Sequence, residues 1–309
     1  MSTLIYSHAA CSRHDTGPGH PESAARLSAV LEALKGPGFE GLAWREAPEA
    51  SMEQLTRLHP LDYVERVLAA VPARGHVALD GDTVLSPGSG EAALRAAGAA
   101  CAAVDAVLGG EARTAFCATR PPGHHAEPAI SMGFCMFNNA AVAAFHALAA
   151  HGLTRVAVID FDVHHGNGTQ AAFLDRPDCQ YLSSHQSPLY PGTGHRSEQG
   201  VGNIVNVPLA ASSGSAEIRY AWSKQLEPAL REFAPELIIV SAGFDAHYMD
   251  PLAGLNFTED DYRWLTRKIL AVAADCAGGR VVSMLEGGYN LEALGSCVAV
   301  HVQELQGAA

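Results

Sequence analysis

Several features that would classify a chain at once are missing from this one. Its seven cysteines (Cys11, Cys101, Cys117, Cys135, Cys179, Cys276 and Cys297) are scattered and contain no Cys-x-x-Cys pair, so neither a zinc ribbon nor a dithiol redox motif is present. Their odd number and mostly apolar surroundings fit free thiols in a reducing compartment. Basic residues are outnumbered, 20 Lys and Arg against 33 Asp and Glu, for a formal net charge of −13. That balance argues against nucleic acid as a direct partner, because phosphate binding needs a basic patch, and it suits a cationic substrate better. No uninterrupted apolar run reaches transmembrane length. The opening Met1-Ser-Thr-Leu-Ile-Tyr-Ser lacks the basic and apolar regions of a secretory signal. A cytoplasmic protein with no membrane partner is therefore expected. Linkers, internal repeats and low-complexity tracts are absent too, so residues 1–309 read as one domain.

What is present is an α/β pattern. Apolar, β-rich segments recur at 4–6, 114–118, 156–159, 180–183, 204–207, 237–241 and 280–285. Stretches with helical periodicity lie at 22–35, 61–71, 91–108, 138–150, 216–233, 259–274 and 291–305. Near-continuous apolar strands alternating with helices predict a parallel sheet covered on both faces. The reactive side chains follow strand ends: Arg120-Pro-Pro-Gly-His124-His125, Asp160-Phe-Asp162-Val-His164, Gly243-Phe-Asp245 and Glu286-Gly-Gly-Tyr289. Open parallel sheets bind ligands at that end.

Extended backbone puts alternate side chains on one face, so Asp160, Asp162 and His164 are expected to converge where a strand runs out. Asp162 and His164 supply two ligands of a catalytic metal, and Asp245, from another strand end, is the natural third. Asp160 lies one alternation deeper and is assigned to orient an imidazole. Two oxygens and one nitrogen suit zinc without excluding Fe(II), Mn(II) or Co(II). His124 and His125 are adjacent, with Asp160 and Asn167 available as partners. A histidine beside Asp is biased toward imidazolium and one beside Asn less so, which suits one proton donor or stabiliser and one acceptor. Which takes which part stays open. Tyr289, after two glycines, is a candidate oxyanion donor. Phe134 and Tyr190 are candidates to wall a narrow entrance.

These motifs, Arg-Pro-Pro-Gly-His-His-Ala, Asp-Phe-Asp-Val-His-His-Gly-Asn-Gly-Thr-Gln, Ser-Ala-Gly-Phe-Asp-Ala and Leu-Glu-Gly-Gly-Tyr-Asn, resemble the zinc-dependent histone deacetylase family. The likeness is to its class II branch and the bacterial histone deacetylase-like amidohydrolases, and it runs from Gly19-His20-Pro21-Glu22 to Asn290. It implies the arginase/deacetylase fold, a central eight-stranded parallel β-sheet flanked by helices. It implies zinc on Asp162, His164 and Asp245, with tandem catalytic His124 and His125 partnered by Asp160 and Asn167. Tyr289 matches the transition-state tyrosine. Phe134 and Tyr190 match the pair that sandwiches an acyl-lysine stem, with Gly133 beside the tunnel and Asp82 at the rim. The family also binds potassium, here implied on Asp160, Asp162, His164, Ser183 and Ser184. Leu252 takes the gatekeeper place that carries Glu in the polyamine-preferring branch, which favours acylated lysine over the alternative, an acetylpolyamine or other small acylated amine. Oligomeric state is left open, a homo-oligomer included.

Overall fold

The computed structural model describes residues 3–308. Eight strands form the main sheet: β1 (Leu4–Ser7), β2 (Ala43–Glu46), β3 (Thr114–Cys117), β4 (Val156–Asp160), β5 (Cys179–Gln186), β6 (Ile204–Leu209), β7 (Leu237–Ala242) and β8 (Val281–Leu285). Their spatial order is β2-β1-β3-β8-β7-β4-β5-β6, and every neighbouring pair is parallel. Seven correspond to the apolar segments. The eighth, β2, has the sequence Ala-Trp-Arg-Glu, is mostly exposed and pairs with β1 alone. An edge strand buries too little to write a hydrophobic pattern, so tertiary pairing rather than composition defines it.

The central strands are buried on both faces. Ile238 and Val240 of β7 join one apolar layer with Ile159, Phe116 and the 259–276 helix, while Leu237 and Ile239 join the other with Val158 and the alanine-rich helices. Those helices, Ser89–Leu108 and Asn139–His151, lie close against each other because alanine faces leave little between them. The expected helix at 216–233 is continuous from Ser215 to Phe233 but carries one π turn at Trp222–Leu226. All seven cysteines are free thiols, and all but Cys276 are buried. Among the described residues no helix is long and apolar enough to cross a membrane.

The sheet register places the site. Cys117, Met284, Ser241, Asp160 and Ser183 form one row across β3, β8, β7, β4 and β5. Four adjacent strands therefore end at the same height, and their following loops carry His124 and His125, Tyr289, Asp245, and Asp162 with His164.

Candidate active site

β4 stops at Asp160, and the convergence of the next alternate residues has a different cause from the expected extended backbone. Asp160 Oδ1 accepts from the Asp162 N–H (3.1 Å), and Asp162 Oδ1 accepts from the His164 N–H (2.9 Å). Two successive Asx turns thus hold the segment and aim all three side chains one way. Asp245 arrives from β7, its Oδ1 accepting from the Val163 N–H (2.8 Å); Asp162 Oδ2 accepts from the Gly287 N–H (2.8 Å). His164 Nδ1 lies 3.1 Å from both Asp162 Oδ1 and Asp245 Oδ2. Ligand atoms of the three residues fall within 4.8 Å of one another in a fully buried cluster.

The donor set fits a transition metal: one imidazole nitrogen, carboxylate oxygens, and backbone N–H groups fixing the carboxylates from behind. Glycines make room for it. A Cβ at Gly243 would lie 2.0 Å from Asp162 Oδ2, and one at Gly287 2.1 Å from Asp245 Oδ2. Burial opposes a charge on His164, yet the two carboxylates prevail and raise its pKa to about 10. Donors that draw a proton so strongly are also arranged to draw a cation. Burial, with Asp162 beside it, pushes the Asp245 carboxyl up to about 7.

The tandem histidines have opposite electrostatics. His124 Nδ1 lies 3.0 Å from Asp160 Oδ2, and His125 Nδ1 lies 2.9 Å from Asn167 Oδ1. Burial disfavours charge on both. For His124 the carboxylates of Asp160 and Asp162 overcome it and hold the pKa well above the usual imidazole value. For His125 burial wins, aided by charge on His124 and His164, and the pKa falls well below. Neutral His125 then donates from Nδ1 to Asn167, leaving Nε2 as an acceptor.

A cavity of about 260 Å³ opens onto this group, lined by Asp82, His125, Gly133, Phe134, His164, Leu189, Tyr190, Leu252 and Tyr289. The structure thus brings all five expected substrate-contacting residues together with three of the chemical ones. His124, Asp160 and Asn167 stand behind. Ser183 is the register neighbour of Asp160, its hydroxyl 2.8 Å from His185 Nδ1, and Ser184 is buried next to it.

A sequence profile of the histone deacetylase domain matches residues 20–305. The chain is 41% identical to Histone deacetylase 14, chloroplastic, of Arabidopsis thaliana, over 98% of this chain and 77% of that one. It is 44% identical to the Histone deacetylase-like amidohydrolase of Pseudomonas aeruginosa (93% and 76%) and 39% identical to Polyamine deacetylase HDAC10 of Homo sapiens (93% and 44%). The solved structure of the HDA15 HD domain superposes with a TM-score of 0.94 at 32% identity, covering 100% of this chain and 91% of that one. The chain belongs to the histone deacetylase family.

In this deacetylase-family chain the cavity walls are held from outside. Gly133 and Phe134 both adopt left-handed backbone (φ +57° and +68°), uncommon for a bulky side chain. The Gly133 N–H donates to Asp82 Oδ1 and the Phe134 N–H to Thr83 Oγ1, each at 3.2 Å. A Cβ at Gly133 would meet the His125 ring at 2.4 Å, so only glycine lets this wall approach the histidine. Opposite, the loop after Tyr190 is tied down by His165, 2.7 Å from Thr193 Oγ1, and His185, 3.0 Å from the Gly194 carbonyl. Tyr190 stands edge-on to His125, ring centroids 5.1 Å apart.

Sequence reasoning did not single out Leu189, Thr83, Glu286 or Arg26. Glu286 Oε2 accepts from the N–H groups of Gly123 (2.7 Å) and His124 (3.2 Å), anchoring the histidine loop, and burial raises its pKa to about 7. Arg26 donates to the Gly288 carbonyl at 2.6 Å and lies 4.9 Å from the centre of the Tyr289 ring. Glu22 is fully buried between Arg26 and Arg120. Glu22, Arg120 and Glu286 lie inside the family motifs, and that membership is the available signal. Leu189 and Thr83 carry no chemistry a pattern would mark.

Proposed function

We propose that this protein is a zinc-dependent amidohydrolase that removes acetyl or other acyl groups from acylated lysine side chains, working as one deacetylase domain over residues 1–309. The observation that carries the reading is one narrow, largely apolar cavity lined by His125, His164 and Tyr289, with Asp162 and Asp245 clustered on His164 and the oppositely biased His124 behind. Zinc on Asp162, His164 and Asp245 would supply Lewis acidity toward an amide carbonyl and acidify water beside it. Neutral His125 accepts a proton from the attacking water at Nε2 and delivers it to the departing amine. His124, kept cationic by Asp160, stabilises negative charge as it develops. Tyr289 donates its O–H to the oxyanion; burial holds its pKa well above 10, so the proton stays available. Phe134, Tyr190 and Leu252 accommodate an aliphatic stem, and Asp82 lies at the cavity with its carboxylate. Potassium on Asp160, Asp162, His164, Ser183 and Ser184 would support the loop from below. A cytoplasmic location is part of this proposal and rests on the seven free cysteines; two plant relatives are named chloroplastic.

A second reading, an acetylpolyamine or other small acylated amine as substrate, is favoured by the negative charge near the mouth: Asp82 lines the cavity, and Asp82, Asp80 and Glu127 all act electrostatically on Tyr190. Acetate release by the zinc-loaded protein from an acetyl-lysine peptide and from acetylspermidine, with and without a hydroxamate, separates the two. Faster, hydroxamate-sensitive peptide turnover supports the lysine reading. Faster acetylspermidine turnover moves the substrate to polyamines, and no release from either overturns the hydrolase.

A further inference from the structure

A second carboxylate–imidazole group lies far from the active site. Asp105 is in the last turn of the helix Ser89–Leu108, and His146 and His151 are in the second half of the helix Asn139–His151. Both imidazoles aim at one oxygen: His146 Nε2 is 2.6 Å and His151 Nε2 2.7 Å from Asp105 Oδ1. The three ligand atoms fall within 4.8 Å of one another, the only such group among the described residues besides the active-site cluster. Asn138, which caps the start of the second helix, bonds to the Ala126 carbonyl beside the catalytic loop. At 1.5 Å per residue, His146 and His151 are then roughly 12 to 20 Å further along that helix.

We propose that Asp105, His146 and His151 form a second binding site for a divalent transition metal, zinc being its test ion. Two nitrogens and a carboxylate favour zinc, copper, nickel or cobalt over magnesium or calcium, which prefer all-oxygen ligands. Both helices present their C-terminal ends here, where unsatisfied carbonyls favour a cation. Asp105 is half exposed and His151 a quarter, so the ion enters from solvent and the remaining coordination positions are filled by water.

Arg57 sets how tightly the ion is held. Its guanidinium contacts His146 Nδ1, and its other terminal nitrogen donates to Glu53 at 2.9 Å. A nitrogen that accepts from Arg57 bears no proton, so His146 carries its proton on Nε2 and gives it to Asp105. A metal on Nε2 requires that proton to move to Nδ1, where it faces the Arg57 N–H. Arg57 must therefore swing away, retaining Glu53 as its partner, before the site closes.

The test is zinc titration of the chelator-stripped protein, followed by calorimetry and by the visible absorption of the cobalt-substituted form. Wild type is expected to take two equivalents, the second raising the Tm further. Asp105→Asn and His151→Gln should each take one equivalent, with unchanged circular dichroism and unchanged turnover at that first equivalent. Arg57→Met should bind the second ion about tenfold more tightly, from loss of a nearby positive charge and a competing donor. A wild type that stops at one equivalent, a second equivalent that survives both substitutions, or an Arg57→Met protein that binds no tighter would each overturn the site. None of these readouts depends on the substrate proposed above.

Discussion

The protein holds two groups of Asp and His with nearly the same chemistry and opposite surroundings. At the strand ends, Asp162 and Asp245 each commit an oxygen to a backbone N–H, so their carboxylates are aimed before any ion arrives. At the helix ends, Asp105 has no such tether; its neighbours are His146 and His151, and Arg57 competes for one of them. The first group is buried against Gly243 and Gly287, where charge is expensive unless paired. The second is half in water, where charge is tolerated and attraction is screened. Preorganisation by backbone, more than residue type, separates a site built for chemistry from one built for reversible binding.

The largest effect should come from breaking the first group. Asp245→Ala should abolish stoichiometric zinc at the active site and essentially all turnover, read by metal analysis on the folded protein; full zinc retention would show the third ligand to be misassigned. Next, Tyr289→Phe should retain zinc and lose about 10²–10³ in kcat; an unchanged kcat would remove the tyrosine from the oxyanion. Gly287→Ala tests the cradle: overpacking should cost about 1–3 kcal/mol of stability and weaken zinc, visible as a lower Tm and a slower reconstitution. Thr83→Val should leave Phe134 without its acceptor and lower kcat/KM by about fivefold, the worth of one hydrogen bond near 1 kcal/mol, with Thr83→Ser close to wild type. Equal losses in Val and Ser would assign the effect to volume.

The smallest effect concerns Asp105. Burial opposes its charge, but hydrogen bonds from His151 and His146 hold its carboxyl below the usual range. A depressed folded pKa contributes stability above the unfolded value, and that contribution is lost as pH falls through the folded value. Being half exposed, the tie should be worth no more than about 1 kcal/mol. Metal-free Asp105→Asn should therefore be slightly less stable than wild type at pH 7 and indistinguishable below the carboxylate range, by urea denaturation at both pH values. A constant difference across pH would show that packing, not charge, joins the helices.

The two groups also differ in how far they could be read in advance. Asp160 to His165 is contiguous, and its chemistry follows from residue type at short spacing. Asp245 and Tyr289 needed only the rule that reactive groups follow strand ends. Asp105 and His151 are 46 positions apart on alanine-rich helices and share no motif; they meet only because alanine faces let the helices close up. β2 was illegible because a mostly exposed edge strand needs no apolar pattern. Thr83 was illegible because its hydroxyl acts on a backbone N–H 51 residues away.

By itself the sequence determined the parallel α/β arrangement and the end of the sheet where the motif aspartates, histidines and tyrosine gather. Local pattern and residue chemistry are one-dimensional and sufficient for that. Only the tertiary structure decided how the carboxylates are aimed and that His124 faces Asp160 while His125 faces Asn167. It alone decided that Phe134 is held in a left-handed turn and that Asp105 meets two imidazoles. Each of these depends on burial and on hydrogen bonds between distant segments, which exist once the sheet register has brought four strand ends level.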